Sequence, residues 1–217
     1  MRLIILLLVA SVVSCCLTGC GGSSSSSTTD STSLTVTITD VRVTPKSTTV
    51  NQNDSVTFLN SGAFLHQVVS GTVTPSGNPL VNHIITIGNT GFNPPDTQAN
   101  LGDTIRFSNA SFNLFLLDIV DDNGKVVSSL TLPVGNMQTF TFPGAGVFVI
   151  RSRQNILFAG SVTLYGTANP DGKFISPVLT NGGTFTVQFT QTGTQPYFVI
   201  DPAYSSRAFI TGSVSAQ

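Results

Sequence analysis

Two imidazoles, ten aspartates and three thiols are nearly all that this chain of 217 residues offers for acid–base, nucleophilic or metal chemistry, since it has no glutamate. The imidazoles are His66 and His83, and the thiols are Cys15, Cys16 and Cys20, all close to the N-terminus. From residue 34 onward no thiolate is available as nucleophile or metal ligand, and no disulfide can form. Few groups can serve as general acid or base, and no serine sits in a Gly-x-Ser-x-Gly turn, so no enzyme is expected. Asp121-Asp122-Asn123-Gly124 gathers oxygen ligands without the alternating spacing of a calcium loop, and Asn-Gly is a hairpin-turn signal. One spacing stands out: Ser152, Asn155 and Phe158 follow one another at intervals of three, and Gly160 closes the run. A hydroxyl, an amide and a phenyl ring are not soft metal ligands.

The elements that position these residues read as strands. Leu34-Thr-Val-Thr-Ile-Thr39, Ser55-Val-Thr-Phe-Leu59, Thr104-Ile-Arg-Phe107, Thr139-Phe-Thr-Phe142 and Thr184-Phe-Thr-Val-Gln-Phe189 alternate in polarity. Such runs, bounded by Gly, Pro, Asn and Asp, predict half-buried strands of an antiparallel sandwich. Part of the chain repeats. Pro45 to Asp54 matches Pro94 to Asp103, and the same offset of 49 pairs Phe58 with Phe107, Asn60 with Asn109, and His66 with Phe115.

These segments resemble the first half of a cupredoxin: Pro, a strand, Asn/Gly-Asp, a strand ending in Phe-x-Asn, then the first copper histidine. Ser152 to Gly160 is similar to the family's ligand loop, Cys-x-x-His-x-x-Met-x-Gly, with every ligand replaced. The resemblance implies a Greek-key β-sandwich, and it places Phe115, Ser152, Asn155 and Phe158 at former copper-ligand positions. Phe115 and Phe158 are expected to meet and fill the vacated pocket.

The first copy breaks off after Gly77, and a fresh start appears near Val81. Its missing half resembles the stretch from Asn169 to Gly212-Ser-Val. Counting back from Gly212 by the family spacing puts Tyr204, Arg207 and Ile210 opposite His66 as the other former ligand set. The expected architecture is therefore all-β, with two cupredoxin-like sandwiches. Residues 34–79 plus 168–217 form the first, and residues 80–167 form the second, inserted in a loop of the first; tandem repeats or one irregular sandwich are the simpler alternatives. Among the ligand positions only His66 keeps a metal-binding side chain. It is either a weak copper ligand or a hydrogen-bonded residue of the sandwich rim. His83 is the one other imidazole available to join it at a metal. Tyr197, Tyr204 and Arg207 read either as a contact patch or as core and loop residues.

The N-terminus reads as an address. Arg2 precedes the apolar run Leu3 to Val13, which is too short to span a bilayer and fits a signal-peptide core. Leu17-Thr18-Gly19-Cys20 resembles the lipobox of bacterial lipoproteins, with Cys20 as the acylation site; Val12 to Cys15 is a weaker match. Residues 1–20 are then a lipoprotein signal peptide and residues 21–33 a Ser/Thr-rich flexible tether. Nine Lys or Arg are scattered along the chain, and no basic face suggests nucleic acid. The expectation is an exported protein, lipid-anchored to a bacterial membrane on its periplasmic or extracellular face. It has no cofactor and serves as a non-catalytic binding or structural module for an envelope protein or polymer. The alternatives are copper delivery or sequestration through His66, and, more remotely, copper electron transfer.

Overall fold

The computed structural model describes residues 33–77, 80–155, 157–204 and 206–217. The signal peptide, Cys20 and nearly all of the tether lie outside the described residues. The first five strands are β1 (Leu34–Ile38), β2 (Val43–Thr44), β3 (Ser47–Val50), β4 (Ser55–Asn60) and β5 (Gln67–Thr74). They are followed by β6 (Asn82–Gly88), β7 (Gly91–Asn93), β8 (Asp96–Asn100), β9 (Thr104–Asn109), β10 (Phe115–Val120), β11 (Val126–Leu132), β12 (Met137–Phe140) and β13 (Gly146–Ser152). The long β14 (Ala159–Ile175) leads to β15 (Thr184–Gln188), β16 (Gly193–Ile200), β17 (Arg207–Ala208) and β18 (Ile210–Ala216).

Alternation explains the strands and their faces. In β4 Val56, Phe58 and Asn60 point inward, and in β9 Ile105, Phe107 and Asn109 do the same. The offset of 49 governs pairing as well: β1 runs parallel to β4 with Leu34 opposite Val56, and β6 runs parallel to β9 with His83 opposite Ile105. Cis peptide bonds precede Pro45 and Pro94, again 49 apart.

The antiparallel expectation holds for most strand pairs and needs correcting for four. Parallel pairs join β1 to β4, β6 to β9, β3 to β18 and β8 to β14. Between β1 and β4 the chain visits the facing sheet at β3, and between β6 and β9 it does so at β8. It therefore returns to the first sheet running the same way, as crossover connections require.

Two four-stranded sheets, β15-β4-β1-β2 and β12-β9-β6-β7, accompany one ten-stranded sheet, in which β11-β10-β13-β14-β5-β16-β18-β3 lie side by side and β8 and β17 each pair with β14. One large core draws on Val36 to Val68 and Leu179 to Ala216; the other lies entirely within Ile85 to Leu164. A small third core joins Ala208 of β17 to Val69, Phe198 and Ile200, which alternate along β5 and β16 with residues of the first core. Both faces of these two strands are thus buried there, which accounts for Val68-Val69 and Tyr197-Phe198-Val199-Ile200 departing from alternation.

The ten-stranded sheet is continuous because of β14. Its first half pairs with β13, with Leu164 opposite Gly146, and its second half pairs with β5, with Thr167 opposite Thr74. Residue 168, expected to mark a domain boundary, lies inside this uninterrupted strand. Residues 31–217 form one compact unit. Lys46 adds an ion pair at 2.9 Å to the buried Asp122, and Arg42 donates to the Asp122 carbonyl. Asp121 turns the β10–β11 hairpin by accepting from the amides of Asn123 and Lys125. With Asp122 held by Lys46 and Asp121 holding the turn, this segment is a hairpin braced against the first core.

Candidate functional site

Asp40, just beyond β1, organises the end of the first core. Its carboxylate accepts from the amides of Ala63 and Phe64, each at 3.0 Å, and lies 3.3 Å from His66 Nε2. The Phe64 amide, supported by the Ala63 amide and the His66 imidazole against some desolvation, holds the Asp40 carboxyl below the usual carboxylate range. Gly62 is needed here, because a Cβ would run into the Asp40 side chain. Asn60, fully buried, donates to the carbonyls of Phe64 and Leu179 and accepts from the Gly62 amide. His66 is tied through its backbone to Leu179 in both directions and is only 5 % exposed. A carboxylate can only accept, so Nε2 is the donor in this pair.

The four residues that the resemblance assigns to this set converge. His66, Tyr204, Arg207 and Ile210 line one cavity of about 550 Å³, together with Gln98 and Tyr165 from the other half of the chain. Ile210 is buried, while Tyr204 is 67 % exposed. Pairing of Arg207 with Thr167 on β14 brings the arginine beside Tyr165, and its guanidinium carbon lies 4.2 Å from the Tyr165 ring centroid. That is cation–π geometry. Tyr165 is itself held edge-on by Phe209, with centroids 5.1 Å apart.

The second set also converges, on chemistry of another kind. Phe115 and Phe158 line a cavity of about 410 Å³ with Asn155 and Asn89, and their ring centroids are 6.1 Å apart. Both rings belong to, or pack on, the second large core. Ser152 is buried and shapes the loop: its Oγ accepts from the amides of Gln154 and Asn155 and donates to Gln154 Oε1. Asn155 Oδ1 accepts from the Leu157 amide. Asn89 stands 49 residues after Asp40 and accepts from the Phe112 amide at 3.2 Å, as Asp40 does from Ala63. The pair Asp40–His66 thus corresponds to Asn89–Phe115.

His83 is placed elsewhere, 3.0 Å from Asp103 through Nε2. Burial pushes the Asp103 carboxyl up, but the amides of Val81 and Asn100 and the His83 ring outweigh it and leave it below the usual range. Tyr197 belongs to the first core, and burial pushes its phenol up. Asp40, Gln98 and Tyr165 were not singled out by sequence reasoning. For Asp40 the signal was present, because the offset of 49 extends back to Asn89 and exposes the exchange of a carboxylate for an amide.

A copper ion, which the family resemblance implies, does not fit these residues. A phenol, a guanidinium engaged on Tyr165 and an alkyl chain accompany His66, and none is a soft donor. At the second set two phenyl rings pack where ligands would stand. Among the described residues no group of three or more His, Cys, Asp or Glu side chains is placed to hold a metal.

No protein-family model matches the chain, and no curated protein matches it. Solved structures do. A purple cupredoxin from Nitrosopumilus maritimus shares 22 % identity over 38 % of this chain and 98 % of its own, with a TM-score of 0.34. Amicyanin from Paracoccus versutus shares 13 % identity over 45 % of this chain and 96 % of its own, with a TM-score of 0.35. The sheets themselves decide the fold: facing sheets joined by crossover strands. The fold is cupredoxin-like.

Proposed function

We propose that this chain is an exported, lipid-anchored protein of the bacterial envelope, tethered through Cys20, and that its cupredoxin-like body is a non-catalytic binding or structural module without a type 1 copper site. Its partner is an envelope protein or polymer. In this reading residues 34–79 plus 168–217 form one sandwich and residues 80–167 a second one inserted into it. The separate large cores support the division, and the shared β14 joins the pair into one compact unit.

One observation carries the reading. Both former ligand sets are occupied by internal contacts of other kinds, Phe115 against Phe158 and Arg207 over Tyr165. The first adds apolar packing, worth about 1.5–3 kcal/mol for each buried ring. The second keeps a permanent cation on the cavity that holds His66, where it opposes a metal cation. His66 lends its ring to Asp40 and to the loop that Asp40 anchors.

The test is copper uptake by the body, residues 31–217, compared with His66→Ala, using metal analysis after dialysis and visible and paramagnetic resonance spectra. Background copper in both proteins is expected. Stoichiometric copper in the wild type that disappears in His66→Ala would overturn the reading and make this a copper-handling protein.

A further inference from the structure

The cavity that holds His66 is more than a degenerate metal position. We infer that it binds a neutral saccharide, with the aromatic side chains at its edge stacking on the sugar. The inference rests on the reading of the chain as a non-catalytic envelope-binding module and names the chemistry of its partner.

The cavity volume of about 550 Å³ lies in the range of small-molecule sites, and its walls come from both halves of the chain. Its charge is mixed. The carboxylates of Asp40 and Asp201 and the guanidinium of Arg207 line the same space, beside the amide of Gln98. An anionic ligand would meet two carboxylates there, and a cationic one would meet the arginine. A hydroxyl donates and accepts at once, so adjacent sugar hydroxyls can satisfy carboxylate, guanidinium and amide without net charge.

The polar groups also have capacity to spare. Among the described residues, the Arg207 guanidinium meets only the face of Tyr165, and the Gln98 amide takes part in no hydrogen bond. Asp201 accepts from the Ala203 amide through Oδ1 alone. Stacking on Tyr165 fixes the guanidinium plane before any ligand arrives, which reduces the ordering cost of binding.

Two large aromatic side chains, Tyr204 at 67 % and Phe64 at 64 % exposure, line this cavity and are left in water. The C–H face of a pyranose is apolar and slightly positive, which complements the negative face of an aromatic ring. A sugar would cover the exposed rings while its hydroxyls reached the polar wall.

The experiment is titration of the isotope-labelled body, residues 31–217, followed by amide shifts. Cellohexaose, maltohexaose and chitohexaose are the neutral probes, and hexagalacturonate is the anionic control. The body is suitable because every strand pairing described lies within it and it forms one compact unit. The expected result is saturable shifts at the cavity with at least one neutral probe and none with the anionic control. Tyr204→Ala should weaken that binding about three- to tenfold, and Arg207→Gln should also weaken it. Both residues are exposed, so neither change should threaten folding. Three results would overturn the inference: no saturable shift with any neutral probe, equal binding of the anionic one, or binding unaffected by both substitutions. If the sugars fail while copper stays at background, the saccharide inference falls and the non-metal reading stands. Stoichiometric copper bound through His66 without any sugar removes both.

Discussion

Replacing Asn60 with alanine should destabilise the protein by an amount that follows from its hydrogen bonds. The side chain is fully buried, donating to the Phe64 carbonyl at 2.9 Å and the Leu179 carbonyl at 2.8 Å and accepting from the Gly62 amide at 2.9 Å. The Leu179 carbonyl keeps a second donor, the His66 amide, so it is not orphaned. Phe64 lies in an exposed turn, where water can replace the lost donor. The Gly62 amide is buried and has no such recourse, and a buried unsatisfied donor costs about 1–3 kcal/mol. With the smaller losses added, N60A should cost about 2–3 kcal/mol. For a chain of this size that lowers the midpoint of thermal unfolding by roughly 5–10 °C. N60D separates the two halves of the argument. It keeps an acceptor for Gly62 but points a carboxylate at two carbonyls, so its folded-state pKa is raised. Its deficit relative to wild type should be largest at neutral pH and shrink toward acid, where the introduced carboxyl is protonated. Both variants are expected to unfold in one transition, because β14 belongs to a sheet shared by both halves. Circular dichroism melts test this. A midpoint for N60A within about 1 °C of wild type, or an N60D variant as stable as wild type at neutral pH, would refute the account.

The Asp40 carboxyl is held below its ordinary value when folded, chiefly by the Phe64 amide. Its stabilising contribution is therefore present above the unfolded pKa of about 4 and is lost as pH falls through the folded value. Asp40→Asn should accordingly lower stability at neutral pH and converge with wild type in acid; denaturant titrations that stay separated by the same margin at low pH would contradict this. Gly212→Ala places a Cβ against the hydroxyl of Tyr197 and 2.9 Å from the Lys46 carbonyl. That should cost about 1–3 kcal/mol. The Tyr197 hydroxyl is buried and has no hydrogen-bond partner among the described residues, so Tyr197→Phe should be close to neutral alone and should rescue much of the Gly212→Ala loss. A double variant no more stable than Gly212→Ala would show that the backbone contact dominates.

Much of this protein is legible in one dimension because the relevant physics is local. Alternation in Ser55–Leu59 and Thr104–Phe107 determines which side chains face a core, since successive residues of a strand point to opposite faces. The offset of 49 from Pro45–Asp54 to Pro94–Asp103 foretells two equivalent segments, which the structure pairs in identical register. That Ser152, Asn155, Phe158, Tyr204, Arg207 and Ile210 offer no soft ligand follows from side-chain type alone. The four parallel pairs were not foreseen for an equally physical reason, because polarity alternation is the same in parallel and antiparallel strands. Asp40 was missed because its role depends on amides and a ring 23 to 26 residues away.

By itself the sequence determined the β class, the repeat, the absence of thiols beyond Cys20 and the unsuitability of both ligand sets for copper, since residue chemistry and periodicity are properties of the chain. Only the tertiary structure decided that β14 runs unbroken through both halves, that Arg207 rests on Tyr165, and that a cavity of about 550 Å³ opens between them. Those features depend on which distant strands lie side by side. That is settled by packing and backbone hydrogen bonding summed over the whole molecule, and no single segment encodes it.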